Sequence, residues 1–439
     1  MSPSRRHFLN TAGAAVVYKL VDSGFSLQAA APNDQLGLGF IGTGVRGTYL
    51  LRKFQAIPGV RPVIVADLYD GYLLRAKQDT SGAIATTKDY REVLDNPEVD
   101  AVVIATPDHW HKRMILDSLA AGKHVYIEKP MTWSVEEGKE IIEAVERSGK
   151  ILQVGSQHKT SALSLEARNI IKSGELGKVT MVRMANHRNT ADGAWVWPIP
   201  PDASPETCDW ERFIGPSPKR PWNPEIMFRW RCWWDYSGGV ATDLFVHLLT
   251  QMHYIMDVKA PKSAVSQGGL YRWLDGRNVP DVLNTIYEYE EGFVADMYVH
   301  LAASYPTRST LIIGDDGTLE VESNRLVLHP FTHRPAVSSY GINAWTEEMK
   351  GAYREGLGYT AAGLPKTPLP PAREAKEIRV ESRPSHYELF IISLREGKPS
   401  EENAVEGHYA AGAGHLANIA YRENRQVTWD PDAAIVHPA

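Results

Sequence analysis

The amino-acid sequence predicts an α/β protein in which a doubly wound parallel sheet precedes an α/β domain with an open, mostly antiparallel sheet. From residue 36 to residue 155, short apolar strand patterns alternate with amphipathic helical patterns, as in parallel strands joined by right-handed crossovers. Beyond residue 179, strand patterns follow one another through short turns, which favours antiparallel pairing. The predicted divisions are an export signal at 1–31, a first domain at 35–156 and a second domain at 157–439.

Length and composition fit a globular chain of two domains. The 439 residues are 43% hydrophobic, and the formal net charge of −6 gives no electrostatic reason to expect a nucleic-acid partner. No apolar run is long enough to span a bilayer, so stable membrane insertion is not expected. Two cysteines, Cys208 and Cys232, exclude a disulfide framework and a Cys-rich metal site. Two free thiols are predicted, with a Cys208–Cys232 disulfide as the alternative.

The N-terminus resembles a twin-arginine export signal. Ser4-Arg5-Arg6-His7-Phe8-Leu9 is followed by an apolar stretch at residues 14–18 and by alanines at residues 29–31, where cleavage would occur. Lys19 and Asp22 interrupt the apolar region, and a disordered basic tail is the alternative. The resemblance implies the twin-arginine export machinery as a partner and a periplasmic or otherwise exported location. That route carries proteins that are already folded.

A dinucleotide site is predicted directly after the first strand. Leu36–Ile41 is a short buried strand, and residues 49–54 continue as an amphipathic helix. The turn between them allows a close approach to a pyrophosphate, which the helix N-terminus would bind. The predicted cofactor-binding residues in this turn are Gly42, Thr43, Gly44, Val45, Arg46 and Gly47.

The second strand, Arg61–Asp67, ends in an acid where a ribose-binding carboxylate is expected. Asp67 would accept hydrogen bonds from the adenosine ribose and repel a 2′-phosphate. Because no arginine follows at once, NAD is predicted, with NADP left open. The alternative for Asp67 is a helix N-cap.

The later elements complete a Rossmann domain over residues 35–156. Further strands are predicted at residues 99–105, 124–128 and 151–155, with helices at 114–121 and 134–148. His109 and His111 follow the strand that ends at Ala105. They would therefore lie at the carboxyl edge of the sheet, and one of them is expected to face the cofactor.

Two segments resemble the Gfo/Idh/MocA oxidoreductases, a family that includes glucose–fructose oxidoreductase and inositol dehydrogenase. They are Glu128-Lys129-Pro130 and Ala105-Thr106-Pro107-Asp108-His109-Trp110-His111. The resemblance implies an NAD(P)-binding Rossmann domain, a C-terminal domain for substrate binding and oligomerisation, and a tightly bound cofactor. It also implies a homo-oligomer. In this chain the implied cofactor contacts are Thr106, Pro107, His109, His111, Glu128 and Lys129.

The second domain shows two hairpin patterns, one around Glu291-Gly292 and one around residues 315–317. A helix at 163–172 and a strand at 179–184 precede them. His187 and Arg188, which follow that strand, are candidate substrate residues. His408 and His415 share a face of a late helix at 404–421 and are interpreted as packing residues.

Residues 189–236 are rich in Pro and Trp and lack periodicity. Aromatic rings beside a cofactor cleft suit carbohydrate, whose apolar C–H faces stack on them, although each single tryptophan more often packs the segment onto its own domain. Trp233 and Trp234 are the candidate substrate contacts. The tryptophans of this segment are Trp195, Trp197, Trp210, Trp222, Trp230, Trp233 and Trp234.

The predicted catalytic residues are Lys129, Asp243 and His247. Asp243 and His247 are four residues apart and would share a helix face, and the family has a matching Gly-Gly-x-x-x-Asp-x-x-x-His arrangement. His247 would take the hydroxyl proton, and Asp243 would orient the His247 ring or bind a hydroxyl. Lys129 would stabilise charge on the reacting oxygen and, if desolvation lowers its pKa, could share the role of base. No compact ligand motif is present, so no metal is predicted.

Three functions remain open on the sequence alone. The first is an NAD(P)-dependent oxidoreductase that oxidises a hydroxyl of a sugar or glycoside. The second is an NAD-dependent glycosidase in which transient oxidation permits elimination and hydride return closes the cycle. The third is a non-catalytic sensor that binds sugar or cofactor.

Overall fold

The computed structural model describes residues 35–305, 308–333, 337–369 and 371–439, so the predicted export signal at 1–31 lies outside the described residues. The first sheet is parallel, and its six strands follow the order β3-β2-β1-β4-β5-β6, a doubly wound arrangement. The strands are β1 (Leu36–Ile41), β2 (Val60–Ala66), β3 (Ala85–Thr87), β4 (Ala101–Ile104), β5 (His124–Ile127) and β6 (Leu152–Val154).

Helices connect these strands in strict alternation, as the sequence predicts. The last of them begins at Glu137, three residues after its predicted start, and ends at Gly149, whose left-handed conformation (φ +63°) suits a glycine. The helices are α1 (Val45–Gln55), α2 (Asp70–Asp79), α3 (Tyr90–Asp95), α4 (His111–Ala120) and α5 (Glu137–Ser148).

The second sheet has ten strands in the order β14-β13-β12-β11-β7-β10-β9-β8-β15-β16. All neighbours are antiparallel except β7 and β10, which run parallel, so the prediction of an open, mostly antiparallel sheet is confirmed. Both predicted hairpins form. The strands are β7 (Val179–His187), β8 (Ser263–Gly269), β9 (Val282–Tyr289), β10 (Phe293–His300), β11 (Arg308–Gly314), β12 (Gly317–Val321), β13 (Leu326–Pro330), β14 (Lys376–Ile378), β15 (Val427–Asp430) and β16 (Ile435–Pro438).

Helices cover one face of this sheet, the face that carries its buried side chains, as the alternation of buried and exposed residues along β9 shows. Leu283, Thr285, Tyr287 and Tyr289 point into the core while the residues between them face outward. The helices of this part are α6 (Ala162–Ser173), α7 (Trp210–Ile214), α8 (Pro224–Phe228), α9 (Val246–Met256), α10 (Glu347–Gly356), α11 (His386–Glu396) and α12 (Ala404–Glu423), with short 3-10 turns at 108–110, 230–232 and 340–342.

Helix α11 returns from the C-terminal part of the chain to the first sheet. Its Tyr387 and Phe390 pack edge-on against Phe54 of α1 and join the same apolar core as Leu38 and Phe40 of β1. The side chain of Gln153 in β6 donates a 2.8 Å hydrogen bond to the main-chain oxygen of His386. The predicted boundary at residues 156/157 stays a prediction, but the first sheet is completed by residues far beyond it.

Cys208 and Cys232 are both free and buried, so the disulfide alternative is not realised. His408 and His415 are buried in α12, in agreement with their interpretation as packing residues. Across the described ranges, no helix combines the length and apolarity that a membrane span requires.

Candidate active site

The glycine-rich turn shapes the first part of the site. Gly42 has φ +83°, and a Cβ at Gly47 would lie 1.9 Å from the main-chain oxygen of Gly42, so a side chain at Gly47 would collide with the turn. Helix α1 starts at Val45 without a side-chain cap and without an acid in its first turn. Its free N–H groups can therefore bind an anion such as a pyrophosphate.

Asp67 lies directly beneath this turn. Its Oδ2 accepts the main-chain N–H of Thr43 at 2.6 Å, and its Oδ1 accepts the N–H of Tyr69 at 3.0 Å. Burial raises the pKa of Asp67, and these N–H bonds oppose that rise. The carboxylate sits at the wall of the cleft described below, where a ribose diol can reach it.

Arg46 and Glu128 form a bridge across the ends of β1 and β5. The Arg46 guanidinium donates to Glu128 Oε1 at 2.7 and 2.8 Å and lies 4.9 Å from the centre of the Tyr49 ring. The predicted cofactor residue Glu128 thus holds Arg46 in place beside the N-terminus of α1.

An open cleft extends from this turn toward the second domain, and the empty space within it, adjoining open solvent included, is about 1180 Å³. One wall comes from the first domain, and the other comes from the Pro- and Trp-rich segment 189–236. Among the residues lining the cleft are Gly42, Gly44, Val45, Arg46, Asp67, Thr106, Pro107, Trp110, Trp197, Phe213, Phe228, Trp230 and Arg231.

The segment 189–236, here called the strap, is fixed to the first domain by main-chain contacts. Asp209 N donates to the oxygen of Leu68 at 2.8 Å, and Tyr69 and Cys208 form an isolated β-bridge. The Tyr69 hydroxyl also bonds to the Asp202 carboxylate. The strap therefore covers the cleft instead of extending into solvent.

Three basic residues that the sequence reasoning did not select line the end of the cleft near Asp67: Lys88, Arg91 and Arg212. Asp89 pairs with Arg91 at 3.2 Å and with Arg212 at 3.5 Å. No arginine directly follows Asp67 in the sequence. Arg91 lies after β3 and Arg212 lies in the strap, so the residues next to Asp67 gave no indication of them. The sheet order predicts proximity for Arg91, whereas no sequence signal points to Arg212.

His109 and His111 do not line the cleft. His109 Nε2 lies 3.0 Å from the oxygen of Phe213, and His111 lies against the oxygens of Pro130 and Thr106 at 2.6 and 3.0 Å. Burial lowers the pKa of each ring to about 4. Thr106, Pro107 and Trp110 of this segment line the cleft wall, and the expectation that one of the two histidines faces the cofactor stays a prediction.

Lys129 and Asp243 meet at the junction of the two domains. Lys129 Nζ donates to Asp243 Oδ1 and to the Asp243 main-chain oxygen, both at 2.8 Å, and each side chain is only 9% exposed. Burial lowers the pKa of Lys129, and Asp243 opposes that effect. Burial alone would raise the pKa of Asp243, but Lys129 and Arg231 outweigh it and hold the carboxyl ionised.

Arg231 connects this pair to the cleft, although the sequence reasoning did not select it. Its Nε donates to Asp243 Oδ1 at 2.9 Å, and its guanidinium lies 4.1 Å from the Trp230 ring centre and 5.1 Å from that of Trp197. Its position between tryptophans in the strap was the available signal, because arginine stacks readily on aromatic faces.

His247 lies beside the pair without contacting Asp243 through a hydrogen bond. Residues Ala241–Phe245 form a π-helical turn, and the α-helix begins only at Val246. Among the described residues, His247 Nδ1 has no hydrogen-bond partner, and its ring centre lies 5.4 Å from that of His158. Asp243 is bonded to Lys129 and Arg231 and forms no described hydrogen bond with the His247 ring, and the two roles expected for Asp243 stay predictions.

The His247 ring is neutral at physiological pH. Burial lowers the pKa of His247 well below its usual value of 6.5, and the nearby charge of Lys129 lowers it further. A neutral ring with a free nitrogen can accept a proton, but the lowered pKa makes it a weaker base than a free imidazole, and the role of base stays a prediction.

Asp108 is a further buried acid that the sequence reasoning passed over. It is 2% exposed, and its Oδ2 accepts the Gly238 N–H at 3.2 Å. Burial raises the pKa of Asp108 to about 7, Arg231 opposes this, and the Asp243 charge adds to it. Its place in the Ala105–His111 segment was the only sequence signal.

The candidate substrate residues are dispersed around the pair. His187 is buried with its ring centre 5.3 Å from that of His300, and Arg188 is half-buried directly after β7. Trp233 packs against two apolar cores. The Trp234 ring would meet a Cβ at Gly239 at 3.4 Å, and Arg422 lies 5.4 Å from its centre. Substrate contact by these four residues stays a prediction.

Three family profiles match the chain. One, described as an oxidoreductase family with an NAD-binding Rossmann fold, covers residues 36–156. Two C-terminal profiles of the same Gfo/Idh/MocA family cover residues 162–267, described as an α/β domain, and residues 217–320. The matched ranges include the glycine-rich turn, Asp67 and Lys129 in the first domain and Asp243 and His247 in the second.

Curated relatives are similar over part of their length. An α-N-acetylgalactosaminidase of Shewanella oneidensis is 31% identical over 202 residues, which cover 40% of this chain and 44% of the relative. A glycosyl hydrolase family 109 protein of a Shewanella species matches to the same extent. The chain therefore spans less than half the length of these relatives.

Solved structures share the fold over nearly the whole chain. A levoglucosan dehydrogenase in complex with NADH and levoglucosan has a TM-score of 0.63 at 16% identity, covering 90% of this chain and 99% of its own. An aldose–aldose oxidoreductase from Caulobacter crescentus, complexed with glycerol, has a TM-score of 0.63 at 17% identity, covering 90% of this chain and 100% of its own. At these identities the likeness shows the fold alone.

Proposed function

The chain carries both domains of the Gfo/Idh/MocA oxidoreductase family, and from that premise we propose that it oxidises a hydroxyl of a sugar or glycoside with bound NAD. The observation that carries this proposal is the buried Lys129–Asp243 pair, with His247 beside it, at the domain junction next to the nucleotide cleft. When bound, NAD supplies the hydride acceptor.

The residues that fit the cofactor have distinct tasks. The free N–H groups at the start of α1 would bind the pyrophosphate, and Asp67 would accept bonds from the adenosine ribose. Arg46, fixed by Glu128, lies at the same helix end. Because Gly42 and Gly47 carry no side chain, the pyrophosphate could come close to the main chain of the turn. A larger side chain at either position would block this approach.

Three residues would act on the substrate hydroxyl during the chemical step. Lys129 would donate a hydrogen bond to the reacting oxygen and stabilise the negative charge that develops there. Asp243 holds the Lys129 amino group in position and opposes the lowering of its pKa by burial. The neutral His247 ring would take the hydroxyl proton.

We also propose that the cofactor stays bound between turnovers. The strap is fixed to the first domain by the contacts of Asp202, Cys208 and Asp209 described above, and it must move before a dinucleotide can leave. Reduced cofactor would then be reoxidised in place, by a second sugar or another hydride acceptor. The twin-arginine-like N-terminus supports export of such a loaded, folded protein to the periplasm, and homo-oligomerisation follows from the family resemblance.

A second candidate is an NAD-dependent glycosidase. A retained cofactor suits it, because hydride is removed and then returned to the same sugar, and the partial similarity to a glycosyl hydrolase family 109 protein adds support. Oxidation at one carbon would acidify the neighbouring C–H, and a neutral base such as His247 would remove that proton before the aglycone leaves. The non-catalytic sensor is the third candidate, and it gives no reason for the buried Lys129–Asp243 pair.

One experiment separates these functions. The full chain, purified with its cofactor, is incubated with free sugars and aryl glycosides while products are identified by mass and nicotinamide absorbance is followed. A product lacking two hydrogens indicates the oxidoreductase, and aglycone release without net cofactor reduction indicates the glycosidase. Lys129→Met should abolish either product, whereas Lys139→Met, an exposed lysine on α5, should not. Bound cofactor without any product across the panel contradicts both catalytic functions.

A further inference from the structure

Two arginines reach the candidate active site from neighbouring strands of the second sheet. Arg188 directly follows β7, and Arg308 begins β11, the next strand in the sheet. The main chain of Arg308 pairs with Asn186, two residues before Arg188, so both arginines lie at the same edge. Burial, and then the charge of Arg188, lower the pKa of Arg308 to about 10, which leaves Arg308 charged at neutral pH.

Neither arginine has an ionic partner in direct contact: over the residues that the structure describes, no carboxylate forms an ion pair with Arg188 or Arg308. Arg308 Nη1 lies 2.6 Å from Nε2 of His158, whose pKa is lowered to about 3 by burial and by Arg308, so this ring is a neutral acceptor. Arg308 Nη2 is buried and has no partner. A buried charged donor without an acceptor is costly, which points to an acceptor on a ligand.

These donors are continuous with the reacting centre. Arg308 bonds to His158, whose ring centre lies 5.4 Å from that of His247. Arg188 lies near enough to Asp243 to help lower the pKa of that carboxyl. Two further buried ring nitrogens without partners, Nδ1 of His187 and Nδ1 of His247, lie in the same part of the described structure. A sugar placed with a hydroxyl at Lys129 would therefore extend toward the two arginines.

The charge balance of this region favours an anion. Four cations surround it, and the acids among the described residues are Asp243, Asp108 and Glu128, of which Glu128 is already paired with Arg46. Asp243 is already bonded to Lys129 and Arg231, and the pKa of Asp108 is raised to about 7. A region with an excess of positive charge attracts negatively charged ligands. The cations are Lys129, Arg188, Arg231 and Arg308.

We propose that Arg188 and Arg308 bind the oxyanion of an acidic sugar, which makes a sugar carrying a carboxylate or a phosphate ester the preferred substrate. Guanidinium groups bind both anions through paired, charge-assisted hydrogen bonds. This inference rests on the proposed function in one respect: it assumes that the molecule whose anion binds the arginines is also the molecule whose hydroxyl is oxidised.

The test compares three ligands on the cofactor-loaded full chain: a neutral hexose, the corresponding hexuronate and the corresponding hexose 6-phosphate. Dissociation constants come from calorimetry, and turnover is followed by nicotinamide absorbance and product mass. We expect one acidic sugar to bind about 30-fold more tightly than the neutral hexose, with the advantage decreasing as ionic strength rises. The acidic sugar that binds better identifies the anion as a carboxylate or a phosphate.

Variants show whether the arginines cause that preference. Arg308→Gln should weaken the acidic sugar about 30-fold and the neutral hexose less than about threefold, and Arg308→Lys should restore part of the loss. Arg183→Gln is the matched control, because Arg183 lies on β7 five residues before Arg188 but is 47% exposed and pairs with Asp296. Thermal unfolding of the loaded protein verifies that each variant is folded.

The outcomes separate this inference from the proposed function. Equal binding of neutral and acidic sugars, binding of neither acidic sugar, or an equal loss for both kinds of sugar in Arg308→Gln, would overturn the anion site. Oxidation of the neutral hexose in that case would leave the proposed function standing. Tight, arginine-dependent binding of an acidic sugar that is never converted would sustain the anion site and contradict the proposed oxidation.

Discussion

Lys129 and Asp243 are joined across the domain junction by two 2.8 Å contacts from one ammonium, to the carboxylate and to the main-chain oxygen of the same residue. The carboxylate thereby fixes the position of Lys129, and the main-chain contact fixes it to the π-helical turn at 241–245. Because both side chains are buried, the pair depends on correct docking of the two domains. The candidate reacting centre is thus a property of the junction and of neither domain alone.

The first prediction concerns Lys129. Lys129→Met should lower kcat by about 10²- to 10⁴-fold, because the donor to the reacting oxygen is lost, while the cofactor stays bound. It should also destabilise the protein by about 3 kcal/mol, since Asp243 loses one of the two ion pairs that it forms with described residues and keeps the pair with Arg231. Single-turnover reduction of bound NAD measures the first effect, and chemical denaturation measures the second. A variant with wild-type turnover would remove Lys129 from the mechanism.

The second prediction concerns the buried carboxyl of Asp108, whose pKa is raised by burial from 3.8 to about 7. Between these values the folded state holds a proton that the unfolded state releases, so unfolding free energy decreases as pH rises from about 4 to about 7. The contribution of this group amounts to at most about 4 kcal/mol. Asp108→Asn keeps an acceptor for the Gly238 N–H but cannot titrate.

Wild type and Asp108→Asn should therefore differ in their pH dependence. The stability of the variant relative to wild type should increase from pH 4 to pH 7 and then stay constant, as measured by urea unfolding of both proteins in the same cofactor state. Glu402, whose pKa burial also raises to about 7, titrates in both proteins and so cancels in the difference. Parallel stability curves over this range would contradict the raised pKa of Asp108.

Local patterns predicted much of the first domain and part of the site. The glycine-rich turn, Asp67 and Lys129 lie in short segments at the ends of strands. The strand order of a doubly wound sheet determines which of these segments are neighbours, so their positions were predictable. Asp243 and His247 were identified by a family pattern, but their geometry was not, because one π-helical turn shifts Asp243 from the register that an α-helix would give it.

The contacts made by the strap were beyond prediction from sequence. This segment lacks periodicity. The neighbouring tryptophans indicate a stacked Arg231, but they do not indicate that it reaches Asp243, and nothing indicates that Arg212 reaches the Asp67 end of the cleft. The same holds for α11, whose aromatic residues pack on Phe54 more than 300 positions earlier in the chain. Long-range packing of this kind depends on the whole fold, and local patterns carry little information about it.

The third prediction concerns cofactor choice at Asp67. Asp67→Asn should weaken NAD binding about 10-fold, because the charged acceptor for the ribose is lost, although the amide can still accept the Thr43 N–H. NADP binding should improve, since the carboxylate no longer repels a 2′-phosphate and Arg91 and Arg212 lie at the same end of the cleft. Calorimetry with both cofactors measures the change in preference. Asp95→Asn, which changes an exposed acid at the end of α3, is the control. An unchanged ratio of the dissociation constants for NAD and NADP in Asp67→Asn would exclude the role of Asp67 in binding the ribose.

The fourth prediction concerns the strap as the barrier to cofactor release. Trp230 lines the cleft and stacks on Arg231, which in turn bonds to Asp243, so its ring links the cleft wall to the reacting centre. Trp230→Ala should increase the rate of NAD release about 30-fold, through loss of about 2 kcal/mol of aromatic contact. Displacement by an excess of a fluorescent NAD analogue, followed in a stopped-flow instrument, gives that rate.

Trp222 provides the matched control for this experiment. It is a half-buried tryptophan of the same strap, but it packs edge-on against Trp210 at 5.5 Å and lines a separate hollow with Cys208. Trp222→Ala should reduce thermal stability to a similar degree without changing NAD release, because its ring does not border the nucleotide cleft. Faster release in both variants would mean that general loosening of the strap is responsible. Unchanged release in Trp230→Ala would show that the cofactor leaves by a route that this ring does not guard, and retention by the strap would then be wrong.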